Sequence, residues 1–177
     1  MAKNKPVTVV ADLPAPGPVD NTQFQVVSDF LTEQGWNHSS DQAEAYFWFM
    51  LRLKDGSVRV IVDVAPASER ARLQVFATLP VFVPQARRAA VSEALIRINR
   101  RSAFASFDLD LHNGEVRARA VLENDAMIST TMIERTVCGA LDLADQYFAA
   151  LLAVAFGHVA PDTILEMGSR SEGTPLQ

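Results

Sequence analysis

The histidines and the single cysteine have the widest chemical range of any side chains in this chain, and their spacing gives them no shared task. His38, His112 and His158 stand far apart, and none has a second His or Cys at metal-ligand spacing. Each reads as a loop residue facing solvent. Cys138 falls inside an apolar helical pattern, where a thiol is a small buried hydrophobe rather than a nucleophile. As the only cysteine it excludes an intramolecular disulfide and fits a reducing, cytoplasmic compartment.

Two acidic groupings invite metal chemistry. Asp108-Leu109-Asp110, with His112 and Glu115, has the density of a calcium loop. With Asp108 as first ligand, the obligatory glycine position holds Asn113 and the closing glutamate position holds Arg119, so the loop fails. Asp142 and Asp145 lie three apart on the polar side of a helical pattern, where carboxylates solvate a surface. No Gly-rich phosphate loop, G-x-S-x-G or H-E-x-x-H occurs. The expectation is a non-enzymatic chain with no catalytic residues, no metal and no cofactor.

The remaining residues suited to recognition are arginines and aromatics. Arg87, Arg88, Arg97, Arg100 and Arg101 crowd one helical segment, where they either meet an acidic partner or solvate the helix. The chain as a whole carries −5, which argues against a nucleic-acid surface. Tyr46, Trp48, Met50, Ile61 and Phe76 matter because of the elements that carry them.

Asn21 opens a helical pattern with Phe24, Val27, Phe30 and Leu31, and Gly35 is placed to end it, with Trp36 packing back on the last turn. Residues 45–53 and 58–65 alternate as two strands around Asp55-Gly56. A two-residue turn there sets Leu53 opposite Val58 and Phe47 opposite Val64, making one face uniformly apolar. The other face then collects Tyr46, Trp48, Met50 and Ile61. A third strand from Leu73 places Phe76 beside Ile61, and Pro80 ends its central pairing. Pro84 suits the start of a helix whose buried stripe is Val91, Leu95 and Ile98. Asn113-Gly114 predicts a second two-residue hairpin with Asp110 opposite Arg117, Asp108 opposite Arg119, and Leu111 facing the core. Thr131-x-x-Glu134 looks like the capping box of a long helix with Ile133, Val137, Leu141, Ala144, Phe148 and Leu152 on one stripe, stopping at Gly157. Pro161 to Met167 suggests a short helix.

The expected fold class is α+β: a two-layer molecule with an antiparallel five-stranded sheet in the order α-β-β-β-α-β-β-α. Residues 1–20, rich in proline and without a signal-peptide core, read as a flexible leader; residues 21–167 as the domain; residues 168–177 as a loose tail. The longest wholly apolar run, Ala149 to Phe156, is too short to cross a membrane. Helices on one sheet face leave the aromatic face either exposed for a partner or covered by the first or long helix.

LP-V-VP with ARRAAVSEALIRIN, then FASFDLDLHNGEVRAR, then DLADQYFAALLAVAFG, taken in order, resemble the YbjN family over about residues 22–167. The family is described as sensory-transduction regulators and is similar in fold to type III secretion chaperones. The resemblance implies a small, non-enzymatic cytoplasmic protein, often a homodimer, that binds a polypeptide, with no nucleic acid and no membrane. It also makes the second helix, through Val91, Leu95 and Ile98, a candidate dimer contact. The functional expectation is a protein-binding module with a chaperone-like or regulatory role, using the apolar sheet face or a helix groove. The alternative is a small-molecule-sensing regulator with a ligand cavity beneath the long C-terminal helix.

Overall fold

Alternating apolar residues put a continuous hydrophobic surface on one side of a sheet, and the helices lie on that side. The structure, a computed structural model, describes residues 21–65, 71–157 and 159–169. The proposed leader, His158 and most of the proposed tail and the 66–70 connection lie outside them. The elements are α1 (Asn21–Glu33), β1 (Ser39–Asp41), β2 (Tyr46–Arg52), β3 (Ser57–Ala65), β4 (Ala71–Phe82), a 3-10 turn into α2 (Arg88–Asn99), β5 (Ala105–Leu109), β6 (Glu115–Asn124), α3 (Thr130–Phe156), and a second 3-10 turn into α4 (Ile164–Ser169).

The α+β class holds, with one antiparallel sheet, but the sheet has six strands rather than five. Their order is β1-β2-β3-β4-β6-β5. The added strand, Ser39–Asp41, pairs with Trp48 to Tyr46 at the sheet edge. Three polar residues carry no alternation of their own, so only the exposed edge of β2 makes them a strand.

Both hairpins keep the expected faces but shift register by two residues. Phe47 pairs with Val62 and Leu51 with Val58, and the last pair is Arg52 with Ser57. Gly56 does not take positive φ. The turn is instead a wider one, closed by Leu53 N–H donating to Gly56 O at 2.7 Å and pinned by Lys54 N–H donating to Asp145 Oδ1 of α3 at 2.8 Å. Docking against α3 outweighs the local preference of Asp-Gly. In the second hairpin Asp108 pairs with Arg117 and Leu109 with Val116. Asp110 falls in the turn and accepts from His112 N–H, and Leu111 is 66% exposed rather than in the core. Gly114 carries the turn at φ +87°, with its Cα so close to Val83 that a Cβ would lie 2.3 Å from the Val83 carbonyl oxygen. A shift of two leaves each side chain on its own face, because the strand period is two.

β4 runs on to Phe82 past Pro80. The β4–β6 register slips between Thr78 and Phe82, so the missing N–H of Pro80 falls at a bulge.

Gly35 ends α1 at φ +70°, and Trp36 N–H donates back to Leu31 O at 3.0 Å. Trp36 packs edge-on to Phe30 and stacks on Phe49, while Phe24 stacks on Phe47 at 4.2 Å. Buried Gln23 clamps Ile128, donating to its carbonyl at 3.1 Å and accepting from its N–H at 2.7 Å. The N-cap of α3 is Ser129, which accepts from Met132 N–H, rather than the Thr131 capping box. By length and apolarity α3 would also suit a membrane span. Here 13 of its 27 residues are buried in the core. α4 continues through Gly168, which is buried against the Tyr147 ring, so the helix enters the segment expected to be tail.

Candidate functional site

The face of the sheet turned away from the helices carries three rows of side chains that cross the strands. The central row is Ser39, Trp48, Ile61, Phe76, Arg119 and Ser106, one from each strand in spatial order. On one side runs Tyr46, Asp63, Gln74 and Val121; on the other run Met50, Arg59, Thr78, Arg117 and Asp108. Neighbouring members of a row sit about 4.8 Å apart, the strand spacing. Tyr46, Trp48, Met50, Ile61 and Phe76 are thus brought together on one surface.

That surface is open. Trp48 is 45% exposed and Met50 57%, whereas Phe47 and Phe49, their neighbours in β2, are buried under the helices. Tyr46, Ile61, Phe76 and Thr78 form part of a shallow concavity of about 380 Å³. Its rim is charged. Glu44 and Asp63 stand on it, and so do Arg59 and Arg117. The Arg117 guanidinium lies 4.5 Å above the Phe76 ring centre, with its Nε 3.6 Å from Asp108 Oδ2. Arg59 reaches Glu115 Oε2 at 3.4 Å. Such exposed ion pairs are worth at most about 1 kcal/mol each. Burial pushes the Asp63 carboxyl above the ordinary carboxylate range, and Arg72 offsets part of that rise.

The other residues expected at a surface lie elsewhere. Val91, Leu95 and Ile98 are buried within the chain, where α2 packs on α3 and β5. Arg87 donates to Val154 O at 2.6 and 3.1 Å and to Val159 O at 3.4 Å, closing the carbonyl end of α3. Arg88 donates to Val83, Leu111 and His112 carbonyls, tying α2 to the turn before β6. These two guanidiniums are occupied by backbone oxygens of the same chain. The large apolar residue that α2 does present outward is Ile96, 61% exposed, in a concavity it shares with Leu111. An apolar side chain off the stripe of an otherwise well-patterned helix was its signal in the sequence. Among the described residues no group of three or more His, Cys, Asp and Glu is placed to hold a metal.

A model of the YbjN family, described as "Putative bacterial sensory transduction regulator", matches residues 23–153. The chain belongs to the YbjN family. The YbjN match runs from α1 into the last turn of α3 and includes all six strands. Among solved structures, a chain of the ExsC–ExsE complex is 20% identical, over 74% of this chain and 94% of that one, with a TM-score of 0.49. A chain of the HopA1–SchA chaperone–effector complex is 19% identical, over 71% of this chain and 94% of that one, with a TM-score of 0.43. No curated protein matches the chain.

Proposed function

We propose that this YbjN-family chain is a non-enzymatic, protein-binding module with a regulatory or chaperone-like role, and that it binds a polypeptide on the open face of its sheet. The observation that supports this most directly is the exposure of Trp48 and Met50 on a face whose reverse already carries the helices. Folding leaves these side chains half in water. Fully burying one large apolar side chain is worth about 1.5–3 kcal/mol, so a partner that covers the strip of Trp48, Ile61 and Phe76 gains what the monomer forgoes. The rim of Glu44, Asp63, Arg59 and Arg117 carries both signs, which favours one orientation of a bound segment over others. A partner can be a second copy of the chain. A homodimer through α2 would have to use Ile96, since Val91, Leu95 and Ile98 are already consumed.

Trp48→Glu and Met50→Glu test the reading. Both should yield folded protein with an unchanged melting temperature, because neither side chain is in the core. Both should lose polypeptides that the wild type captures from bacterial lysate, or lose self-association in sedimentation. Identical captured partners together with identical sedimentation would overturn it.

A further inference from the structure

The open sheet face and the point where the chain enters α1 lie at the same end of the molecule. Gln23, in the first turn of α1, exchanges two hydrogen bonds with Ile128, and Phe24 stacks on Phe47. Phe47 and Tyr46 are consecutive in β2 and point to opposite faces of the sheet. The start of α1 therefore lies behind Tyr46. There the row of Tyr46, Asp63, Gln74 and Val121 borders the apolar strip of Trp48, Ile61 and Phe76. Residues 1–20 lead into α1 at this point.

The composition of residues 1–20 suits that strip. Pro14, Pro16 and Pro18 come just before α1, and residues 6–11, PVTVVA, form an uncharged run with three valines. A proline-rich chain advances about 3.1 Å per residue, so residues 14–20 can span about 20 Å. Passing one sheet layer takes about 10 Å. That reach brings residues 6–11 within range of the open face, where the three strands carrying Trp48, Ile61 and Phe76 are crossed in about 10 Å.

We infer that residues 6–11 of the same chain are seated on the open sheet face, their valines against Trp48, Ile61 and Phe76. The inference rests on the reading of this face as a polypeptide-binding surface and adds its resident occupant. A short tether holds its segment at a millimolar effective concentration, so a contact too weak to capture a separate peptide is populated within the chain. The segment is then a built-in competitor. It lowers the apparent affinity of any polypeptide partner by the fraction of time that it holds the face.

A nitroxide on Lys5→Cys, in the full chain carrying Cys138→Ala, tests the inference by methyl NMR. Ile61 and Met50 should lose at least about half their methyl intensity, as a seat occupied most of the time requires. Ile98 and Ile133, in the helical layer, should keep theirs. A mixture with the nitroxide and the isotope label on separate chains should show no loss. Val7→Asp/Val9→Asp/Val10→Asp changes no residue of the described core and should restore the intensity, as should Trp48→Glu. The inference is overturned if Ile61 and Met50 keep their intensity, if the loss survives the triple substitution, or if it appears in the mixed sample, which would seat a second copy's segment instead. Unchanged intensity with polypeptide capture still abolished by Trp48→Glu sinks only the resident segment. Lost intensity with capture indifferent to Trp48→Glu supports the segment and removes the wider binding reading.

Discussion

Single side chains in this fold often close backbone groups that secondary structure leaves open. Arg87 is the clearest case, with two hydrogen bonds to Val154 O at the end of α3 and a third to Val159 O just beyond it. Arg87→Ala should cost about 1.5–3 kcal/mol, the range for hydrogen bonds to a charged group, read as a lower denaturation midpoint at unchanged slope. Asn99 does the same for a strand edge: its amide donates to Phe107 O at 3.0 Å and accepts from Phe107 N–H at 2.7 Å. It thereby blocks part of the outer edge of β5 from pairing with another chain. Cys138 is held protonated chiefly by burial, with Asp142 and Glu134 adding to the rise of its pKa. Iodoacetamide at mildly alkaline pH should therefore alkylate it more slowly than a free cysteine; a faster reaction would mean that the thiol is activated after all.

At the scale of elements, α3 organises the helical layer and also shapes the turns around it. The β2–β3 turn docks on Asp145, and Gly56 lies so close to Phe148 that a Cβ there would sit 2.2 Å from the ring. Asp142, on the same helix, has its pKa raised first by burial and then by Asp145. A carboxyl raised on folding binds its proton more tightly in the native state than in the unfolded state. Its contribution to stability is therefore fully present below the unfolded pKa, near 3.9, and is lost as pH rises through the higher folded value. Asp142→Asn should flatten this part of the stability profile in mild acid, measured as melting temperature against pH. A profile parallel to that of the wild type would remove the assignment. Gly114→Ala tests the β5–β6 turn: positive φ and the Val83 backbone both oppose a side chain. A loss of at least about 1 kcal/mol is expected from the backbone conformation alone.

Across the whole molecule, the two faces of one sheet should respond oppositely to truncation. Phe47 is fully buried beneath α1, and Phe47→Ala should cost about 3–5 kcal/mol. Trp48, the next residue, points to the open face, and Trp48→Ala should change stability by no more than about 0.5 kcal/mol. Chemical denaturation of the pair measures the asymmetry directly. Equal losses would mean that the outer face is covered, and the binding proposal would go with it.

Strand periodicity and helix spacing, which are local, were legible in the sequence by itself. Alternation along Tyr46–Arg52 and Ser57–Ala65 assigned each side chain to a face, and that assignment survived a two-residue change of register because the period is two. The α1 stop at Gly35 and the buried stripe of α2 follow from equally local rules. Tertiary structure alone decided the rest. Asp55-Gly56 and Asn113-Gly114 prefer tight turns, but contacts with α3 and Val83 fixed wider ones. Ser39–Asp41 became a strand through the edge it found, and Arg87 and Arg88 were drawn into backbone caps that lie far away in sequence. A cleft at Arg101 and Leu165 joins residues from three helices, and no local pattern records which helix ends meet. Propensity and period act over a few residues, whereas docking energy is summed over the whole core and settles what local preference leaves nearly balanced.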